Sequence, residues 1–134
     1  MKYTIVAESI TYNDVIIKVK DSNINFGTTV KTEKSLPNPA ELFLSSFAVS
    51  VLKNVERFSD LMKFTYNHAK ITVNAARLEN TPRMEDINYV LTIYSSDKTL
   101  NKVLLKKNIE KFGTIFNTAK TACEIEGKIL IEIA

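Results

Sequence analysis

Asn38, Pro39 and Glu41 open a helix that is apolar on almost every side, in a chain of only 134 residues. Asn38 is a natural N-cap, because its side-chain oxygen can accept one of the orphan N–H groups at a helix start. Pro39 falls at N1, where the missing donor had no partner to lose. Glu41 falls at N3, where a carboxylate suits the positive helix end and can reach back to the cap. The pattern predicts a helix from Pro39 to about Phe58. Leu42, Phe43, Leu44, Phe47, Ala48, Val49, Val51 and Leu52 cover nearly every direction around its axis. Such a helix is buried on more than one side. A chain this short has little material with which to wrap it, so a second subunit is expected. The continuation from Lys53 to Met62 is amphipathic and reads as more exposed.

The rest of the chain reads as strands and one further long helix. Tyr3–Ala7 and Val15–Val19 are rich in β-formers and predict a hairpin across the Thr11–Asp14 turn. Ile24–Val30 predicts a third strand, with Gly27 as a bulge. Lys70–Ala75, continuing towards Leu78, and Ile87–Tyr94 predict a long hairpin with Asn80–Arg83 at its tip. Ser96-Asp97 opens a second helix, expected to run to Phe112 on an apolar stripe of Leu100, Val103, Leu104, Ile109 and Phe112. Gly113 stands where a helix C-cap would fall, and Asn117–Thr121 reads as a short helical turn. Cys123–Ile133 alternates apolar and charged residues, as a strand with one dry face does. The order β-β-β-α-β-β-α-β makes an α+β fold, expected as a single domain over residues 1–134.

Composition narrows the function classes. The net charge of +3 is too small to argue for a dedicated nucleic-acid domain. No apolar run is long enough for a signal peptide or a membrane span, so a cytoplasmic protein without membrane contact is expected. A single cysteine allows no disulfide within the chain and no two-thiol redox cycle. Three isolated glycines make no phosphate-binding loop. His68, the one histidine, lies among polar residues and makes no metal site. Neither metal nor cofactor is expected. Lys98, Lys102, Lys106, Lys107 and Lys111 recur along one side of the second helix and read as a solvated face.

The segment Pro37-Asn38-Pro39-Ala40-Glu41-Leu42-Phe43-Leu44-Ser45-Ser46-Phe47-Ala48 resembles the helix entry of the OsmC/Ohr family. These are the osmotically inducible and organic-hydroperoxide-resistance proteins. Asn117-Thr118-Ala119-Lys120 is similar to the segment after the family's second long helix, and the element order agrees along essentially the whole chain. The resemblance implies an intertwined homodimer with two long helices at its centre. It also implies a reaction that this sequence lacks the parts for. Active members use one cysteine on the buried helix to attack the peroxide and a second to resolve the sulfenic acid. Matched along the helix, the first position falls on Ser50; matched back from Asn117, the second falls on or near Gly113. The family also places an arginine before the helix, held by the helix glutamate. Glu41 is present here, but Phe26–Leu36 offers only Lys31 and Lys34, which lack the bidentate fork.

The expected protein is therefore an OsmC-like homodimer, related to oxidative-stress proteins and without peroxidase activity. It would bind a small apolar ligand, or act as an interaction module, at a subunit cleft lined by Phe43, Phe47 and Ser50, with Lys31 and Glu41 as polar contacts. Each of these residues has a plainer reading. Ser50 is a small residue that lets helices pack closely, and Glu41 is a helix-cap carboxylate. Cys123 shares parity with Ile125, Ile129, Ile131 and Ile133 and reads as a small core hydrophobe. The competing enzyme reading makes Cys123 a relocated peroxidatic thiol, which would need exposure and a cation beside it. A third reading gives the second-helix lysines a nucleic-acid role, although no aromatics are interleaved with them.

Overall fold

The computed structural model describes all 134 residues. The chain falls into two compact bodies, Met1–Leu44 and Ser45–Ala134.

In the first body, β1 (Ile16–Val19) and β2 (Ser22–Asn25) form an antiparallel hairpin. Its two-residue loop sets Lys20 at φ 53°. Residues 3–7, expected as a strand, form none, and Tyr3, Ile5 and Val6 are exposed. A strand needs a neighbour for its backbone groups, and β1 takes β2 as its partner. The third expected strand is likewise shorter. It ends at Asn25, and Val30–Thr32 is a 3-10 turn. Asp14 causes that change of direction. Its Oδ1 accepts from the backbone N–H groups of Thr28 and Thr29, each at 3.0 Å. It also accepts from the hydroxyls of Thr29 at 2.9 Å and Thr32 at 2.7 Å. These bonds, the Thr32 hydroxyl first, hold the Asp14 carboxyl below its ordinary range. Gly27 is no bulge. A Cβ there would stand 2.8 Å from the Leu36 carbonyl oxygen and 2.9 Å from that of Thr32, so the close approach requires glycine.

Helix α1 (Pro39–Leu61) begins in the first body with the capping box the sequence predicts. The Glu41 N–H donates to Asn38 Oδ1 at 2.8 Å, and the Asn38 N–H donates to the Glu41 carboxylate at 3.1 Å. Its longer part lies in the second body.

The second body is a three-stranded sheet in the order β3 (His68–Glu79), β4 (Pro82–Tyr94), β5 (Ile125–Glu132). β3 and β4 are antiparallel, whereas β4 and β5 are parallel. Ile87, Tyr89, Leu91 and Ile93 alternate into the core, with Leu91 opposite Ile71 on one side and Ile129 on the other. Phe47, Val51, Val55 and Phe58 form one buried stripe of α1, at spacings of four, four and three. Phe47 stacks on Phe116 with ring centroids 5.7 Å apart, and Phe58 meets Phe112 at 5.9 Å. Val49, on another side of α1, is 63% exposed.

The second long helix differs from its prediction. α2 spans Lys102–Phe112, and its N-cap is Asn101, whose side chain accepts from the Leu104 N–H at 3.0 Å. Ser96-Asp97 starts no helix because Asp97 is occupied elsewhere. Its carboxylate takes the Thr65 N–H at 2.8 Å, the Thr99 N–H at 2.8 Å and the Thr99 hydroxyl at 2.6 Å. With the later start, Leu105 and Ile109 face the core, while Val103, Leu104 and Phe112 are exposed. α3 (Thr114–Lys120) follows at once. Gly113 lies between them at φ −83°, not in the left-handed region.

Tyr89 joins the sheet to α2. It lies opposite Gly127 in the parallel register, and its hydroxyl donates to Glu110 at 2.7 Å. A Cβ on Gly127 would fall inside the Tyr89 ring. Gly127→Ala is therefore expected to destabilise the protein by about 1–3 kcal/mol, the usual cost of overpacking a core; urea unfolding that shows no loss would mean the ring can turn aside. Asp97 sets a pH dependence. Its carboxyl is pulled down to about 2, chiefly by the Thr99 hydroxyl and then by the Thr65 N–H. The folded value lies below the unfolded one, so the contribution is complete above about pH 4 and is lost as pH falls through about 2. Thermal unfolding should show Asp97→Asn less stable than wild type at pH 5, with the gap closing towards pH 2. A gap that stays constant with pH would contradict this linkage.

Candidate functional site

α1 carries four of the residues assigned to a cleft, and the structure gives each a definite environment. In the first body, Lys31 is exposed in the 3-10 turn, Glu41 closes the capping box, and Phe43 is 38% exposed. In the second body, Phe47 is wholly buried against Tyr89 and Phe116. Ser50 is half-buried, and its hydroxyl donates to the Phe47 carbonyl at 2.7 Å. That back-bond is the usual way a helix satisfies an interior serine. The hydroxyl proton is committed to the backbone, and Ser50 has no imidazole to activate it: His68, the one histidine, stacks face to face on Tyr94 at 4.0 Å. The arrangement around Ser50 holds no nucleophile.

Gly113, where the resemblance puts a second cysteine, is buried between α2, α3 and α1. A Cβ would lie 3.0 Å from Phe116 Cβ, 3.1 Å from the Ile109 carbonyl oxygen and 3.2 Å from Asn54 Nδ2. All three are tighter than ordinary van der Waals contact, so any side chain here must push its neighbours outward.

Cys123 precedes β5 and does not belong to it; its N–H donates to the Ala119 carbonyl at 2.9 Å. The thiol is half-buried and directed at the Met84 carbonyl oxygen, 3.3 Å away. Burial pushes its pKa up, and the Glu85 and Asp86 carboxylates push it further. Arg83 acts in the opposite sense but is ion-paired to Glu85 at 2.9 Å. A peroxidatic cysteine needs the reverse setting, a thiolate held by a nearby cation. No three His, Cys, Asp or Glu side chains gather at metal-binding spacing anywhere in the chain.

Sequence reasoning missed one polar constellation. Glu110 accepts from the buried Tyr89 hydroxyl and pairs with Lys106 at 2.8 Å. Burial raises the Tyr89 pKa, and the Glu110 carboxylate adds to it, so the phenol stays protonated. The available signal was a glycine within an alternating strand, which marks a close approach by a neighbour. Around Glu110 lie shallow depressions of about 380 Å³, lined by Lys102, Val103, Lys106, Lys107 and Ile129, and about 360 Å³, lined by Lys107, Lys111, Asn117 and Lys120.

The surroundings of Cys123 yield a direct test. Iodoacetamide should alkylate Cys123 at pH 7 more slowly than a free cysteine, with its half-maximal rate displaced to higher pH. Glu85→Gln should speed the reaction by removing a carboxylate. Alkylation faster than free cysteine at neutral pH would show an activated thiol.

No family model matches the sequence, and no curated protein matches it significantly. Solved structures do. An OsmC-like protein from Mycoplasma pneumoniae superposes with a TM-score of 0.82 at 17% identity, covering 100% of this chain and 99% of that one. An organic hydroperoxide resistance protein from Elizabethkingia anophelis gives 0.70 at 12% identity over 98% and 99% of the two chains. The organic hydroperoxide resistance protein OsmC from Legionella pneumophila gives 0.68 at 13% identity over 96% and 97%. With its strands, its long capped helix and its parallel closing strand matched end to end, the chain has the OsmC fold.

Proposed function

We propose that this chain is an OsmC-like protein without peroxidase activity, which works as a cytoplasmic homodimer and holds a small apolar ligand at the subunit cleft beside α1. The observation that carries the reading is the state of the thiol chemistry. The one sulfhydryl stands beside carboxylates and is raised in pKa, while the helix position that would attack a peroxide is a serine bonded to its own backbone. Serine cannot replace the thiol, because its hydroxyl ionises far above neutral pH. No helix is long and apolar enough to cross a membrane, which agrees with a protein working in solution.

Apolar exposure supports the homodimer. Tyr3, Ile5, Val6 and Ile10 are exposed in the first body, and Val49 and Leu61 stand out from α1 in the second. Within each body, such side chains are what a partner subunit would cover. Phe43 and Ser50 would contribute to the cleft, with Glu41 and Lys31 as the polar contacts, while Phe47 is wholly buried in the second body. Glu41 already serves the helix cap, so a ligand there meets a carboxylate whose position is fixed. Preorganisation of this kind lowers the cost of binding.

The deciding experiment is hydroperoxide consumption, with cumene hydroperoxide and a dithiol reductant, by the wild type and Cys123→Ser. Neither is expected to exceed background. Turnover by the wild type that disappears in Cys123→Ser would overturn this reading and place the chemistry on the residue before the final strand.

A further inference from the structure

The lysines of α2, read from the sequence as a solvated face, are solvent-accessible in the structure, and they also surround shared hollows. Lys102, Lys106, Lys107 and Lys111 lie on α2 and are joined by Lys120 from α3. Together they line two contiguous depressions of about 380 and 360 Å³. A convex helix face spreads its charges into solvent. Side chains around a shared hollow, even a shallow one, can converge on one ligand and add their potentials there.

The lysines are also unequally engaged. Lys106 is ion-paired to Glu110, and Lys111 lies over the Phe112 ring, 5.3 Å from its centroid. Lys102, Lys107 and Lys120 have no carboxylate within ion-pair distance. Glu110, the one acidic residue lining these two depressions, is already met by Lys106 at 2.8 Å and by the Tyr89 hydroxyl at 2.7 Å. Its charge is thus largely compensated from within the fold. The Lys111 carbonyl at the end of α2 would also repel an anion, but the Asn117 side-chain amide donates to it at 2.9 Å. That bond turns the amide towards the same depression and leaves it a second hydrogen to donate. Beyond Lys120 the character of the surface changes, because Glu124 and Glu126 line the neighbouring hollow. The basic surface is therefore bounded and of small-molecule size.

From this geometry we propose that the concave surface of α2 and α3 binds a small multivalent anion bearing phosphate groups, with Lys107, Lys111, Lys120 and Asn117 as its contacts. Lysine suits such a ligand as a mobile point charge that needs no fixed fork. Two or more negative groups are required because a single exposed ion pair is worth little. A polyanionic chain is the poorer fit. Single-strand binding uses aromatics for base stacking, and none lines these depressions. The site stands apart from α1 and does not depend on the function proposed above. Pressing this face against its own copy would oppose like charges, so it should stay open in a symmetric dimer.

The test is a titration of the full chain with inorganic pyrophosphate, read from the backbone amide NMR shifts. Saturable shifts are expected at Lys107, Lys111, Asn117 and Lys120, with an affinity on the order of millimolar. Lys107→Gln with Lys120→Gln should weaken binding about tenfold, the scale of two exposed ion pairs lost together. Lys18→Gln with Lys20→Gln, on the hairpin of the first body, should leave it unchanged. Shifts without saturation, or equal weakening by the hairpin pair, would reduce the effect to a general ionic atmosphere and overturn the proposal. Binding of an oligonucleotide with no response to pyrophosphate would overturn it as well, in favour of a polymer surface.

Discussion

The parallel pairing of β4 with β5 is the constraint from which the second body follows. An antiparallel neighbour can be reached by a tight turn, as β4 reaches β3 across residues 80–81. A parallel neighbour cannot, so residues 95–124 must return along the length of the sheet. They do so as α2 and α3, which bring Leu105, Ile109, Phe116 and Ala119 into the core. The crossover also fixes where Glu110 stands. β5 must then admit the ring of Tyr89 from the adjacent strand, and only a residue without a side chain at 127 allows it. Sheet pairing, helix placement and the buried Tyr89–Glu110 bond are consequences of one choice of strand direction.

What could be read from the sequence follows the range of the interactions involved. The start of α1 was legible because Asn38, Pro39 and Glu41 act on one another within one turn. β3, β4 and β5 were legible because alternation reports a dry face whichever neighbour supplies it. The start of α2 was not, because Asp97 looks like a cap and is one only in competition with Thr65, a residue distant in sequence. Asn101 won the role once Asp97 was bound elsewhere. Residues 3–7 mark the same limit from the other side. Their composition favours a strand, but composition cannot supply the partner a strand needs, and β1 had another. At the candidate site, the presence of a single cysteine and the identities of residues 50 and 113 were legible directly. The tightness around Gly113, the back-bond of Ser50 and the carboxylates beside Cys123 are properties of the packing alone.

Packing differs sharply between Ser50 and Gly113, the two positions that the resemblance assigns to cysteine. Packing at Gly113 leaves no easy room for a side chain, since Phe116, Ile109 and Asn54 already close on its Cα. A thiol there would need the junction of α1, α2 and α3 to open. Ser50 could accept a sulfur more easily, because its hydroxyl bonds only to its own helix. The two positions are therefore not equivalent. At Ser50 a sulfur is sterically acceptable, whereas at Gly113 any side chain must displace the core.

Charge separates the two surfaces on which function could rest. The net charge of +3 gave no reason to expect a binding face, yet it averages over regions of opposite character. Glu85, Asp86 and Glu124 gather around Cys123, while Lys102, Lys107 and Lys120 stand without ion-pair partners beside Glu110. The two groups meet at Lys120, which lines hollows of both kinds. The carboxylates that add to the burial-raised pKa of the thiol also border the basic surface on that side. An anion drawn to the lysines would meet those carboxylates before it reached Cys123. A hydroperoxide is uncharged and would feel no such exclusion, so slow reaction of Cys123 with it would have to come from the raised pKa and partial burial of the thiol.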